Sequence, residues 1–265
     1  MNWHFATNGF VHVCGHRGHS IAAPENTLSA LRANHAMGGT TAEIDTVLTA
    51  DGQIVVIHDL SVDRTSNGTG AVRDLTLAQV QALDAGGWFD PAFAGEKIPT
   101  LAEAIALAHV LDIGLEVEVK EWRDPDGYAA ALADVLAISA DMARVMIISF
   151  DHVVLKRLKT QVPGITTGGI VHARHADPVR VAQSADLDAL CIDLSVFHPD
   201  DARALHAAGI AIRCHAYKPA TIAAMAAVGL DARPHLIGWL REGLIDTLSG
   251  DDVAWVAAVV AEARS

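Results

Sequence analysis

Short runs rich in Val and Ile alternate with longer Ala- and Leu-rich segments of helical period, and no other feature of the chain limits its fold as strongly. Strands separated by helices cannot pair as tight hairpins; they pair in parallel, with the helices laid over the sheet. Candidate strands are Val11–Cys14, Ala42–Asp45, Ile54–His58, Leu115–Lys120, Val145–Ile148, Thr167–Val171, Ala189–Asp193 and Ile210–Cys214. Eight such runs predict an α/β fold of the TIM-type (β/α)8 barrel class. For the last strand, Leu236–Trp239 and Gly243–Ile245 also compete.

The interleaved helices are expected at Thr27–Met37, Leu101–Leu111, Tyr128–Ser139, Val153–Gln161, Pro178–Ala185, Pro199–Ala208, Pro219–Val228 and Asp252–Ala263. Several carry start signals, such as Asn26-Thr27 before an Ala/Leu run and Pro199 followed by two aspartates. Between His58 and Pro99 turn-rich sequence around Ser66–Gly70 and a short helix near Leu77–Leu83 interrupt the alternation. The reading is a single domain over residues 1–265 with a small insertion after the second-strand region, at about 60–97. At 265 residues the length fits one barrel, and 51% apolar content supplies a core.

Charge narrows the partners. With 19 basic against 32 acidic side chains the formal net charge is −13, and no Lys/Arg cluster suited to a phosphate backbone is present, so nucleic acid is excluded as a partner. A small anionic substrate is compatible only if a metal or local cations offset the field. The stretch Met1–Val13 lacks the pattern of a secretory signal, and no apolar run is long enough for stable membrane insertion. Cys14, Cys191 and Cys214 have no paired spacing and read as buried thiols of a reducing compartment, so a cytoplasmic location is expected. Nothing in the sequence fixes the oligomeric state.

The chemistry concentrates in three places. In Glu43-Ile44-Asp45 the period of two puts both carboxylates on one face of a strand. In Leu115–Lys120 the same period puts Glu116, Glu118 and Lys120 on one face of another. Like charges aimed into a barrel repel unless a cation lies between them, and an all-oxygen set suits Mg²⁺ or Ca²⁺ rather than zinc. Glu43, Asp45 and one of Glu116 and Glu118 would form such a site; the competing reading is a salt-laced exposed strand. His16 and His58 stand at strand ends, where the catalytic groups of β/α barrels sit, and such a pair near a metal can take a proton on one side and give one on the other. Arg17, flanked by Gly15 and Gly18, suits a phosphate in fork geometry. The other histidines of the 14 have no comparable constellation.

The series His16-Arg17-Gly18, Pro24-Glu25-Asn26-Thr27, Glu43-Ile44-Asp45, Thr49-Ala50-Asp51-Gly52 and Val55-Val56-Ile57-His58-Asp59 resembles the glycerophosphodiester phosphodiesterase family, bacterial type. The resemblance continues through Arg64-Thr65, Gly68-Thr69-Gly70, Asp84–Phe89, Ile98–Leu101 and Glu116–Lys120 to Ser149-Phe150. It implies a divalent cation, Mg²⁺ or Ca²⁺, at Glu43, Asp45 and Glu118. It also implies His16 as base, His58 as acid, Arg17 and Lys120 as phosphate-binding groups, and a small phosphodiester as substrate. Glu116 stands where many relatives carry a neutral polar residue, and is expected to add negative charge to the site or alter substrate fit. The second half departs: Cys214-His215-Ala216-Tyr217 replaces the usual Trp-Thr-Val-Asn, and Ile245-Asp246-Thr247 is the nearest match to the usual Thr-Asp. The rival enzymatic reading is a related phosphodiesterase acting on lysophospholipid-type substrates. A zinc amidohydrolase ranks below it, and the rival of another class is a non-catalytic phospho-ligand-binding barrel.

Overall fold

A computed structural model describes residues 1–4, 9–120, 123–138 and 142–265. Strands β1 (His12–Gly15), β2 (Thr41–Leu48), β3 (Ile54–Val56), β4 (Gly114–Val119), β5 (Val145–Ser149), β6 (Thr166–Val171), β7 (Ala189–Asp193), β8 (Ala211–His215) and β9 (Thr247–Gly250) form one sheet. All but β3 run parallel in the order β1-β9-β8-β7-β6-β5-β4-β2, and β1 pairs with β2 to close the ring. The result is a TIM-type (β/α)8 barrel. Helices α1 (Leu28–Ala36), α2 (Leu77–Gln81), α3 (Leu101–Leu111), α4 (Pro125–Ile138), α5 (His152–Gln161), α6 (Pro178–Ser184), α7 (Pro199–Ala207), α8 (Pro219–Ala227), α9 (Arg233–Arg241) and α10 (Val253–Arg264) are the long-chain connections. The expected helix ending at Ser139 is α4, and that last residue lies outside the described residues. No described helix is long and apolar enough to cross a membrane.

Two strand assignments need correction. Ile54–Val56 is not a barrel stave: it returns antiparallel on β2, Leu48 opposite Ile54. The connection from Leu48 to Ile54 is too short for a parallel crossover, which needs about a dozen residues or more. It is a turn built on Asp51-Gly52, with Gly52 at φ 74 and Thr49 N–H donating to the Gln53 carbonyl. The eighth stave is Thr247–Gly250 instead, while Leu236–Trp239 lies inside α9. Thr-Leu-Ser-Gly carries one large apolar residue because only Leu248 faces the helices; Ser249 faces the barrel interior, where Arg213 donates to its Oγ at 2.8 Å.

Each stave alternates in this way. Ala42, Ile44, Leu115 and Val117 join the apolar layer between barrel and helices, and burial of each large side chain there stabilises the fold by about 1.5–3 kcal/mol. Inside the barrel, Met146, Ile148, Ala189, Cys191 and Ala211 pack with Trp3 from the N-terminal segment. The insertion between β2 and α3 has its own apolar cluster, Val55, Ile57, Val62, Val72, Val80, Ala85 and Ile98, seated on Val47 of β2. The cysteines are buried and unpaired.

Candidate active site

Parallel pairing sets Glu43 opposite Glu116 and Asp45 opposite Glu118, so four carboxylates enter the barrel from two adjacent strands. They divide by their partners. Glu116 is fully buried and takes a short hydrogen bond from Arg213 Nε, with Thr41 Oγ1 donating to its other oxygen at 3.4 Å. That pair is internal, so the expectation that Glu116 bears on the site as a free charge gives way: its charge is spent on Arg213. Glu43, Asp45 and Glu118 remain, with one oxygen from each lying within 4.8 Å of the others.

The three sit in unequal fields. Burial, then Asp45 and Glu118, push the Glu43 carboxyl well above the usual carboxylate range. Burial and Asp45 likewise raise Glu118. Burial opposes ionisation of Asp45 too, but Lys120, Arg17 and His58 outweigh it and hold that carboxyl low. Lys120, just past the end of β4, places Nζ 2.6 Å from Glu118 Oε1 and 3.0 Å from Asp45 Oδ1. Both are close ionic contacts. Glu43 Oε1 is buried and takes no hydrogen bond from the described residues. A buried carboxylate oxygen left unpaired costs stability, and a cation among these oxygens would remove that cost. The donor set fits a hard divalent ion.

The loop after β1 is built around Glu43. Arg17 adopts the left-handed region, φ 59, and its N–H donates to Glu43 Oε2 at 2.9 Å. Such a backbone costs about 1–2 kcal/mol in a non-glycine residue, and the hydrogen bond onto a buried carboxylate is what holds it. Gly15 is required next door, because a Cβ there would lie 2.4 Å from the Gly18 carbonyl oxygen. The Arg17 guanidinium bonds Glu25 at 2.8 Å and passes 3.4 Å from Asp45. Asn26, also left-handed at φ 60, brackets Asp45: its side chain donates to Oδ2 at 2.8 Å and accepts from the Asp45 N–H at 3.0 Å.

His16 and His58 line one cleft of about 270 Å³ together with Arg17, Glu43, Glu118 and Lys120. His58 Nδ1 lies 2.6 Å from Asp59 Oδ1, and Arg64 donates to Asp59 Oδ2 at 2.7 Å and to both oxygens of Glu25. The Arg64 hydrogen bond, against a burial penalty, lowers Asp59 to about 2. His16 Nδ1 lies 2.6 Å from Asp251 Oδ1, and Nε2 is 3.9 Å from Glu43 Oε2. Two histidines with Nδ1 on a carboxylate present Nε2 to the cleft, the arrangement that general acid–base chemistry uses.

All seven residues picked out in the sequence thus meet at the C-terminal end of the staves. Sequence reading missed others. Glu25, Asn26 and Arg64 lay in quoted motifs, but their role as a bracket around Arg17, Asp45 and Asp59 has no sequence signal. Asp251 and His215, which packs edge-on against His16 at 4.8 Å, come from the second half and gave no signal either. Asp246, the expected acidic match, is at the wrong end of β9: it accepts from the Ile212 N–H and meets His206 at 2.7 Å, and Asp251 meets His16 in its stead. The far wall carries Phe150, His172 and Asp193.

A barrel with this cluster defines a class, and the chain belongs to it: residues 16–253 match the glycerophosphoryl diester phosphodiesterase family. A glycerophosphodiester phosphodiesterase of Caldanaerobacter subterraneus is 38% identical over 171 residues, 64% of this chain and 70% of that protein. The Bacillus subtilis protein YhdW is 41% identical over 160 residues, 60% of this chain; the match spans 65% of its length. Among solved structures, an Oleispira antarctica phosphodiesterase in complex with its product sn-glycerol-3-phosphate aligns with TM-score 0.83 and 27% identity, covering 97% of this chain and 99% of that one.

Proposed function

We propose that this protein hydrolyses glycerophosphodiesters to glycerol 3-phosphate and an alcohol, with a divalent cation, Mg²⁺ or Ca²⁺, at Glu43, Asp45 and Glu118. The observation that carries the reading is that two carboxylate-held histidines line one cleft with Glu43 and Glu118, that Asp45 is clustered with those two acids, and that Glu43 Oε1 takes no hydrogen bond from the described residues. The family relationship and the product bound to the Oleispira enzyme support the substrate class.

When bound, the cation supplies Lewis-acid neutralisation of the phosphate's non-bridging oxygens. Arg17 and Lys120 add positive charge where negative charge builds on phosphorus. His16 takes the proton from the attacking oxygen at Nε2, and His58 gives one to the departing alkoxide, so the step ends with His16 one proton richer and His58 one poorer. Asp59, held ionised by Arg64, steadies His58 as the protonated donor. Residues 1–265 act as one catalytic domain, with the insertion at about 60–97 packed beside the site. The free, buried cysteines support a cytoplasmic location and the net charge of −13 argues against nucleic acid as partner.

The test is hydrolysis of glycerophosphocholine, glycerophosphoethanolamine, glycerophosphoinositol and a lysophospholipid by EDTA-stripped protein, with Mg²⁺, Ca²⁺, Mn²⁺ or Zn²⁺ restored singly. Glycerol 3-phosphate released with a hard cation is expected. Binding of these diesters without turnover under any cation would overturn the reading in favour of a ligand-binding barrel.

A further inference from the structure

Closure of the barrel sets the first stave against the last, Gly15 opposite Gly250, and the His16 N–H donates to the Gly250 carbonyl at 3.0 Å. The residue after Gly250 is therefore delivered to the residue after Gly15. Asp251 Oδ1 lies 2.6 Å from His16 Nδ1, although the two are far apart in sequence. An ionised carboxylate only accepts, so this contact places a proton on Nδ1 and leaves Nε2 with its lone pair toward the cleft.

The ring is also boxed in. His215 meets it edge-on, with centroids 4.8 Å apart and planes at 65°, and keeps its own Nδ1 3.4 Å from Ser249 Oγ. Burial, then Arg213 and His16, push His215 down to about 3, so it stays neutral and does not compete for Asp251. Asp251 is held ionised despite burial by the His16 hydrogen bond and by Lys218, whose exposed Nζ lies 3.3 Å from Oδ2.

We propose that Asp251 is a positioning residue for His16, fixing its tautomer and ring orientation so that Nε2 faces the attacking oxygen. The assignment rests on the role given to His16 above. The proton taken from the attacking oxygen stays on Nε2, the imidazolium then carries protons on both nitrogens, and Asp251 stabilises that charge without accepting the proton itself.

The experiment compares wild type, Asp251→Asn, His16→Ala and, as a surface control, Lys156→Met, whose ammonium reaches the Ser184 carbonyl on the outside of the barrel, in steady-state glycerophosphocholine hydrolysis with the restored cation. It also records two-bond ¹H–¹⁵N correlations of the histidine rings in metal-free protein. Asp251→Asn is expected to lower kcat by about 10²-fold, with KM within about twofold. The His16 Nδ1–H signature of the wild type is expected to disappear in that variant, and Lys156→Met to leave both readouts as they are. Near-wild-type kcat in Asp251→Asn alongside an inactive His16→Ala overturns the proposal. So does an Nε2–H tautomer in the wild-type protein, which decides the matter even if Asp251→Asn does not fold. Full activity in His16→Ala would instead remove the reading on which the proposal rests, while the ring spectra still report whether Asp251 holds the tautomer.

Discussion

At the scale of single residues, the site works by giving each charged group a different neighbour. His16 and His58 are both part exposed and both carboxylate-held, yet their partners differ: Asp59 is tied to Arg64, and Asp251 to Lys218. Replacing either histidine by alanine should cost about two to four orders of magnitude in kcat. With a substrate whose leaving group is a weak base, such as a nitrophenolate, the loss in His58→Ala should shrink by at least about tenfold while that in His16→Ala persists, because an acid is then dispensable and a base is not. Equal losses on both substrates would remove the division of roles. Asp59 also gives a pH signature. Its folded pKa of about 2 lies below the ordinary 3.8, so the stability it contributes is present above about pH 4 and is lost as pH falls toward 2. Partial exposure limits it to about 1 kcal/mol. Arg64→Leu should flatten that acid limb in chemical denaturation measured between pH 5 and 2; an unchanged slope would show that the ion pair is screened out.

At the scale of strands, β2 and β4 hold two tiers of charge with different tasks. In the tier of Glu116, β8 contributes Arg213, and both charges are buried. Removing one member of such a pair leaves the other uncompensated, so Glu116→Ala should destabilise the fold by about 3–5 kcal/mol, whereas Glu116→Leu with Arg213→Met should recover most of it. Denaturant melts of the three proteins test this, and a mild single variant would place Glu116 outside the fold's support. The strands also show why part of the fold was legible. Alternation in Glu43-Ile44-Asp45 and Leu115–Lys120 names the inward face correctly, because a strand's period is local. The antiparallel return of Ile54–Val56 was signalled only by a short Asp-Gly connection. Thr247–Gly250 was hidden because its interior positions are Thr247, Ser249 and neighbours of Arg213 rather than apolar residues.

At the scale of the whole molecule, an acidic chain concentrates Arg17, Arg64, Lys120 and Arg213 around a cluster of carboxylates at one end of the barrel. In the metal-free protein the raised Glu43 and Glu118 favour folding least when both must ionise. Their folded values lie above the unfolded ones, so stability should decline as pH rises above the ordinary Glu value, near 4.5. A bound cation should cancel that decline. At about 100 times its dissociation constant a ligand adds about 2.7 kcal/mol, which for a chain of this size is a Tm increase of about 5–10 °C. Scanning calorimetry of EDTA-treated protein with and without Mg²⁺ or Ca²⁺ should show the shift in wild type and not in Glu43→Gln; a wild type with no shift under either ion would take the cation away from this cluster.

The sequence by itself determined the barrel class, the inward faces of β2 and β4, and, among the residues brought together at the site, Glu43, Asp45, Lys120, His16 and Arg17, because side-chain period and strand ends are set by neighbours in the chain. Only the tertiary structure decided which acid joins the cluster. Glu116 and Glu118 are equivalent by period, and they separate because one depth of the barrel contains Arg213 while the other contains Lys120, Asp45 and a Glu43 Oε1 that takes no hydrogen bond from the described residues. Likewise His58 finds Asp59 next to it in the chain, but His16 finds Asp251 only because the last stave closes against the first.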